Sequence, residues 1–217
     1  IMDESAKALL STEYAKLVEL ENKIISVQFS GGKFTDDFSS YLYWQQVGKT
    51  SSVTSPITAD GKFDSEISGY AIPISWDFTE IQNEDNLYWT ALSLELPGNS
   101  SVENASNFSI KFKTENKENT DYDVYFQLGV SADIDSNFED EETIKTWHIT
   151  KLSSEEKNTS VKSYLKKDIE GWQTVTIDLK DLKLLSTAKD GRIIITSSNK
   201  TSGKIYVGTY ELQNVNY

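Results

Sequence analysis

Between Asp3 and about Lys23 the apolar residues Ala6, Leu10, Tyr14, Leu17 and Val18 recur every three or four positions, with Glu and Lys between them and neither Gly nor Pro. That is the period of a helix with one apolar stripe. The stripe is expected to pack against the chain's own β-domain, because most helical stability in globular proteins comes from burying such a face. The other reading is an interdomain linker helix or a partner-binding helix. From Ile25-Ser26-Val27-Gln28-Phe29 onward the period changes to two and stays there almost to the end, which predicts strands. Strand-like runs are Tyr41 to Val47, Gly69 to Phe78, Leu87 to Leu96, Phe108 to Lys113, Tyr122 to Val130, Thr146 to Lys151, Trp172 to Leu179, Arg192 to Thr196 and Lys204 to Leu212. Gly31-Gly32, Asp60-Gly61, Pro97-Gly98-Asn99, Asp190-Gly191 and Ser202-Gly203 read as turns between them. No helical segment alternates with the strands, so the chain is expected to be all-β, an antiparallel β-sandwich with an N-terminal α-helix. Residues 1–23 form the helix or linker in this division and residues 24–217 the sandwich.

The same alternation sorts side chains into faces. In the strand from Tyr122, Val124, Phe126 and Leu128 share an apolar face, so Tyr125 and Gln127 point the other way. Trp147 and Ile149 fall on one face of the next strand, leaving Thr146, His148 and Thr150 on a more polar one, where His148 joins Tyr125. In Tyr41-Leu42-Tyr43-Trp44-Gln45-Gln46, Tyr41 and Tyr43 face outward. Ile72, Ile74, Trp76 and Phe78 form a core face, and Trp76 and Trp172 are read as structural. Trp89 has mixed neighbours on both alternating sets and is included without a face. Tyr41, Tyr43, Trp89, Tyr125, Gln127 and His148 are therefore the candidate ligand-binding residues. Flat aromatic rings suit the C–H faces of sugars, and amides suit their hydroxyls.

Composition narrows the partners. The 34 acidic residues against 21 basic ones leave a net charge of −13, a field that repels nucleic-acid phosphates and anionic lipids. Neither nucleic acid nor membrane insertion is expected, and a neutral ligand fits better than a polyanionic one. The 217 residues, 37% hydrophobic and 12% aromatic, suffice for one buried core. There is no cysteine, which removes disulfides, thiolate zinc sites and cysteine nucleophiles. One histidine and no Gly-x-Ser-x-Gly elbow leave zinc and serine-hydrolase chemistry without support. The 34 acidic residues leave a two-carboxylate glycosidase open but single out no pair, and a lyase acting on uronates fits an acidic, His-poor chain badly. The expectation is therefore no enzyme, or a non-catalytic module of a larger glycan-degrading enzyme. The chain starts at Ile1 and has no apolar run of signal-peptide or membrane-span length, so a fragment or mature form is expected.

Gly171-Trp172-Gln173-Thr174-Val175-Thr176-Ile177-Asp178-Leu179, followed by Asp181-Leu182-Lys183, resembles a strand signature of galactose-binding-like jelly rolls, notably family 11 carbohydrate-binding modules and complex I intermediate-associated domains. Arg192-Ile193-Ile194-Ile195, Ser202-Gly203 and Lys204 to Leu212 follow in the order that pattern requires. Asp36-Asp37-Phe38, Gly69 to Phe78 and Asn107 to Phe112 extend the similarity to about residues 24 to 217. The resemblance implies a jelly roll and a non-catalytic module binding a neutral polysaccharide or oligosaccharide on a concave sheet. It also implies a secreted or bacterial cell-surface setting, with adjoining domains of a larger chain. The alternative is a structural or protein-interaction jelly roll of a surface protein. The family's last strand often carries an Asp that helps hold a structural calcium; Gly208-Thr209 stands there instead, which puts that calcium site in doubt, so no cofactor is expected apart from a structural calcium that the resemblance leaves open. Asp133-Ile134-Asp135-Ser136-Asn137 opens like a calcium loop, but Phe138 replaces the expected Gly and Ile144 the bidentate Glu. It reads as a solvated acidic loop.

Overall fold

A computed structural model of the chain describes residues 10–17, 33–36, 38, 44–48, 61–79, 88–95, 104–115, 120–129, 144–150, 160–179, 190–197 and 201–215. Its strands are β1 (Lys33–Asp36), β2 (Trp44–Gly48), β3 (Lys62–Asp64), β4 (Gly69–Asp77), β5 (Tyr88–Glu95), β6 (Asn107–Thr114), β7 (Asp123–Gly129), β8 (Ile144–His148), β9 (Gly171–Asp178), β10 (Asp190–Ser197) and β11 (Ser202–Gln213). They pair antiparallel in two sheets. The first runs β3-β4-β11-β6-β9, with β1 also on β11; the second runs β2-β5-β10-β7-β8. This is the antiparallel sandwich that the period-two pattern predicts, in jelly-roll form.

The strands form where alternate residues can be buried together. Ile72, Ile74 and Trp76 of β4, with Phe78 just beyond it, Val124, Phe126 and Leu128 of β7, and Trp147 and Ile149 are all buried, as the alternation requires. Aromatic rings run through this layer from one sheet to the other. Phe38 meets Tyr210 at 5.6 Å, Tyr210 meets Phe108 at 5.7 Å, Phe108 stacks on Phe126 at 4.2 Å, and Phe126 lies 5.5 Å from Trp147. Such contacts add to the burial of large apolar surfaces.

Three expectations are corrected. Asp190-Gly191 and Ser202-Gly203 are not turns: they lie in β10 and β11. Glycine is needed at Gly203 for close approach, since a Cβ there would sit 2.3 Å from a Trp76 ring carbon, whereas one on Gly191 would make only ordinary contact with Phe126 at 3.4 Å. Glycine inside a strand often marks such a close approach. Second, β1 and β3, of four and three residues, escape the periodic reading because so short a run carries no period. Third, the helix forms over residues 10–17, but its stripe is uncovered. Leu10, Tyr14 and Leu17 are 57%, 70% and 64% exposed, so the expected packing against the β-domain is absent from these residues. The division at residues 23 and 24 lies outside the described residues, as does the acidic run 133–142.

One edge of the sandwich is laced shut. Val161 bridges Ile177 of β9, Lys162 N donates to Thr176 O at 2.8 Å, and Asp178 N donates to Ser160 O at 2.6 Å. A few residues on, Leu165 N donates to Ile149 O at 2.7 Å, and Ile149 N donates to Val124 O. The segment from Ser160 thus bonds an edge strand of each sheet while burying Val161 and Leu165. Its backbone polar groups are paired rather than stranded, and it carries Lys167 to the end of the second sheet.

Candidate functional site

Residues opposite one another in an antiparallel pair share a face, so the register of the second sheet defines its non-core side. Asp123, Thr196 and Trp89 form one row across β7, β10 and β5. His148, Tyr125, Ile194 and Ala91 form the next, across β8, β7, β10 and β5. Thr146, Gln127 and Arg192 form a third. Four of the six candidates, Trp89, Tyr125, Gln127 and His148, are thus brought to one face. Tyr41 and Tyr43 lie outside the described residues.

Tyr125 and His148 stack with ring centroids 4.5 Å apart and planes 16° from parallel. Gln127 Nε2 donates to Thr146 Oγ1 at 3.1 Å. The Thr150 hydroxyl donates to Asp123 Oδ1 at 3.0 Å and accepts from Val124 N at 3.2 Å. It also lies 3.0 Å from His148 Nε2. A hydroxyl has one proton, already directed at Asp123, so toward His148 it can only accept, and the imidazole must carry its hydrogen on Nε2. That same nitrogen is 3.3 Å from Asp123 Oδ1. Lys167 Nζ donates to Tyr122 O at 2.6 Å and to Asp123 Oδ1 at 3.4 Å. Partial burial works to raise the Asp123 carboxyl, but the Thr150 hydrogen bond, the Lys167 charge and His148 together hold it below the ordinary range.

The face is not the open polar surface that alternation alone suggests. Gln127 is 4% and His148 7% exposed, and Ala91 and Ile194 are fully buried. Trp89, Tyr125, Arg192, Thr196, Asp123 and Thr150 are half-buried. Among the residues of this site, Asp123, Arg192, Thr196 and Lys167 are not singled out by the sequence pattern. Asp123 stands two residues before Tyr125 and was within reach of the same alternation; Lys167, on a segment without period, was not.

Trp76 lies in the core and Trp172 on the outer side of the first sheet. There Trp172 is half-buried over Gly208, donates from Nε1 to Asp64 Oδ2 at 3.1 Å, and has Lys113 Nζ 5.8 Å from its ring centre. At the position where the resemblance places a calcium ligand, Gly208 is packed beneath Trp172 and Ile67, and the Thr209 hydroxyl oxygen is buried without a hydrogen-bond partner. A hydroxyl without a carboxylate does not fit a cation that takes six to eight oxygens. Among the described residues no group of three His, Asp or Glu could hold a metal ion, and no helix is long and apolar enough to cross a membrane.

The carboxylates of this structure predict its response to acid. Asp64 is held below its ordinary value by the Glu66 amide, then by Trp172; Asp77 by Thr79; and Asp123 as described. A carboxyl whose folded-state pKa is depressed stabilises the fold above its unfolded value of 3.8, and that stability is lost as pH falls through the folded value. The thermal midpoint should therefore be nearly flat from neutrality down to the ordinary carboxylate range and fall below it. A midpoint unchanged on the acid side would contradict the hydrogen bonds to these carboxylates.

No protein-family model matches the chain, and no curated protein matches it. Solved structures similar to it include the family 11 carbohydrate-binding module from Clostridium thermocellum in complex with a β-1,3-1,4-mixed-linked tetrasaccharide. It is 15% identical over 84% of this chain and 95% of that one, with a TM-score of 0.47. Another is a xylan-binding module, 15% identical over 83% of this chain and 95% of that one, with a TM-score of 0.43. A third is the K1 cleaved adhesin domain of Lys-gingipain from Porphyromonas gingivalis W83, 14% identical over 84% of this chain and 98% of that one, with a TM-score of 0.44.

Proposed function

We propose that the chain is a non-catalytic carbohydrate-binding module that takes a neutral polysaccharide or oligosaccharide on the non-core face of its second sheet, as part of a secreted or bacterial cell-surface protein. The observation that carries the reading is the Tyr125–His148 stack set among fixed hydrogen-bonding groups. A ring held by stacking presents a flat apolar surface at little entropic cost, and oriented polar groups around it serve sugar hydroxyls. Trp89 belongs to the same face, two strand spacings and two residues away. The backbone positions of Trp89 and Tyr125 are therefore about 12 Å apart, a span suited to several linked sugar rings rather than one.

Retention on affinity gels carrying β-glucans, xylans, mannans and xyloglucans tests this reading. The intact chain should be retarded by at least one of them, and Tyr125→Ala should lower that affinity about tenfold or more, as loss of a stacking anchor does. A folded protein, checked by circular dichroism, that passes every gel unretarded would overturn the reading. The second reading, a structural or protein-interaction jelly roll, is favoured by one observation: the centre of the face, at Ala91, Ile194, Gln127 and His148, is already covered.

A further inference from the structure

The Asp123 carboxylate is anchored asymmetrically. Oδ1 takes Thr150 Oγ1 at 3.0 Å, lies 3.3 Å from His148 Nε2 and lies 3.4 Å from Lys167 Nζ. Among the described residues no donor reaches Oδ2, and the side chain is 41% exposed. Two donors, Thr150 and Lys167, with the imidazole beside them, hold Oδ1 and leave Oδ2 as the oxygen without a donor among the described residues. A carboxylate oxygen accepts strong hydrogen bonds from hydroxyls, and this one belongs to the residue next but one to Tyr125, on the same face. Resting on the glycan-binding reading above, we propose that Asp123 Oδ2 is the hydroxyl-accepting anchor of the site. In this scheme Lys167, delivered by the segment that laces the sandwich edge, is the residue that positions it.

Lys167 suits that role because it is itself held. Its ammonium donates to Tyr122 O at 2.6 Å and lies 5.4 Å from the Tyr122 ring centre. Its segment is bonded to Ile149 through Leu165 N. Among the described residues, the charged and titratable groups facing Asp123 are His148 beside β7, on β8, and Lys167 from the lacing segment. Across the sheet on β10 its register neighbour is Thr196, which carries no charge. With a cation and an imidazole at Oδ1, the carboxyl stays ionised further into acid than an ordinary aspartate, as its lowered pKa requires.

The test measures affinity as a function of pH, using the best-retained polysaccharide of the β-glucan, xylan, mannan and xyloglucan panel, for the intact chain, Asp123→Asn and Lys167→Met. At neutral pH Asp123→Asn should lose about tenfold or more, the usual consequence of removing a charged hydrogen-bond acceptor. Lys167→Met should bind more weakly than the intact chain at neutral pH but more tightly than Asp123→Asn, because the carboxylate keeps its charge and loses one of the groups that orient it. Its affinity should fail at higher pH on the acid side, because removing the cation lets the Asp123 pKa rise. A lysine that served only the fold would lower the melting temperature without moving that acid limb. If the intact chain binds but Asp123→Asn binds equally well, the anchor is refuted while glycan binding stands. If the acid limb of Lys167→Met coincides with that of the intact chain, the positioning role falls. Failure of the intact chain to bind any member of the panel removes the reading and the anchor together.

Discussion

Phe126→Ala is expected to destabilise the protein by about 3–5 kcal/mol, the range for truncating a buried aromatic to alanine. Phe126 is fully buried in β7 and stacks on Phe108 of β6 at 4.2 Å with planes only 8° apart. Trp147 lies 5.5 Å from the same ring. One ring therefore fills space between the two sheets and touches aromatic partners on both. The surrounding cavity has little freedom to collapse, because Phe108 and Trp147 sit on separately hydrogen-bonded strands, and partial relaxation is what sets the size of the penalty. Urea denaturation should show a lower midpoint with an unchanged slope. Phe63→Ala is the control: Phe63 is 63% exposed on β3, and its loss should fall within about 0.5 kcal/mol. Equal effects at the two positions would refute the described core.

Gly203→Ala should cost about 1–3 kcal/mol or more through overpacking. The added Cβ would lie 2.3 Å from one Trp76 ring carbon and 2.8 Å from two others, separations that non-bonded atoms do not adopt. Gly203 cannot withdraw, since it is paired opposite Trp76 in the β4–β11 ladder. The ring cannot withdraw easily either: it is buried, with Tyr122 5.2 Å away. The clash is relieved only by moving a strand or the indole. Combining the change with Trp76→Leu should make the double variant markedly more stable than the sum of the single effects, as expected for residues in direct contact. Strict additivity, read from the same denaturation curves, would show that the ring does not occupy the glycine's space.

The period of the hydrophobic pattern carried most of the fold. Nine strand-like runs each coincide with a strand, because a sandwich buries one face of every strand and writes that burial as alternation. The pattern failed where a residue's neighbour in space, not in sequence, decides its conformation. Gly203 is a strand residue with Trp76 packed directly over it, and Gly191 is one because β10 is paired on both sides, with Leu94 and Leu128 opposite it. The site was legible in part for the same reason. Tyr125, Gln127 and His148 were placed on the non-core side by counting in twos. Trp89 resisted counting because Ala91 and Thr90 are both small, and only its register with Thr196 assigns its face. Counting also says nothing of how far a face is covered, so the burial of Gln127 and His148 came only with the structure. Lys167 belongs to a segment whose course is fixed by hydrogen bonds to two edge strands, and no periodic signal marks it.

Each sheet is organised around a strand from the last part of the chain. β10 pairs with β5 and β7, and β11 pairs with β4, β6 and β1. On a ribosome, β2 and β5 can meet, as can β7 and β8, but neither sheet can close until β10 and β11 have emerged. Until then a growing chain must hold its aromatic strands as separate pairs. Such long-range closure also places the protein among the slower-folding all-β topologies, on a scale of milliseconds to seconds. Shortening the chain by β11 alone would strand three partners at once. The expected result is a species that aggregates through its exposed strand edges rather than a smaller folded domain.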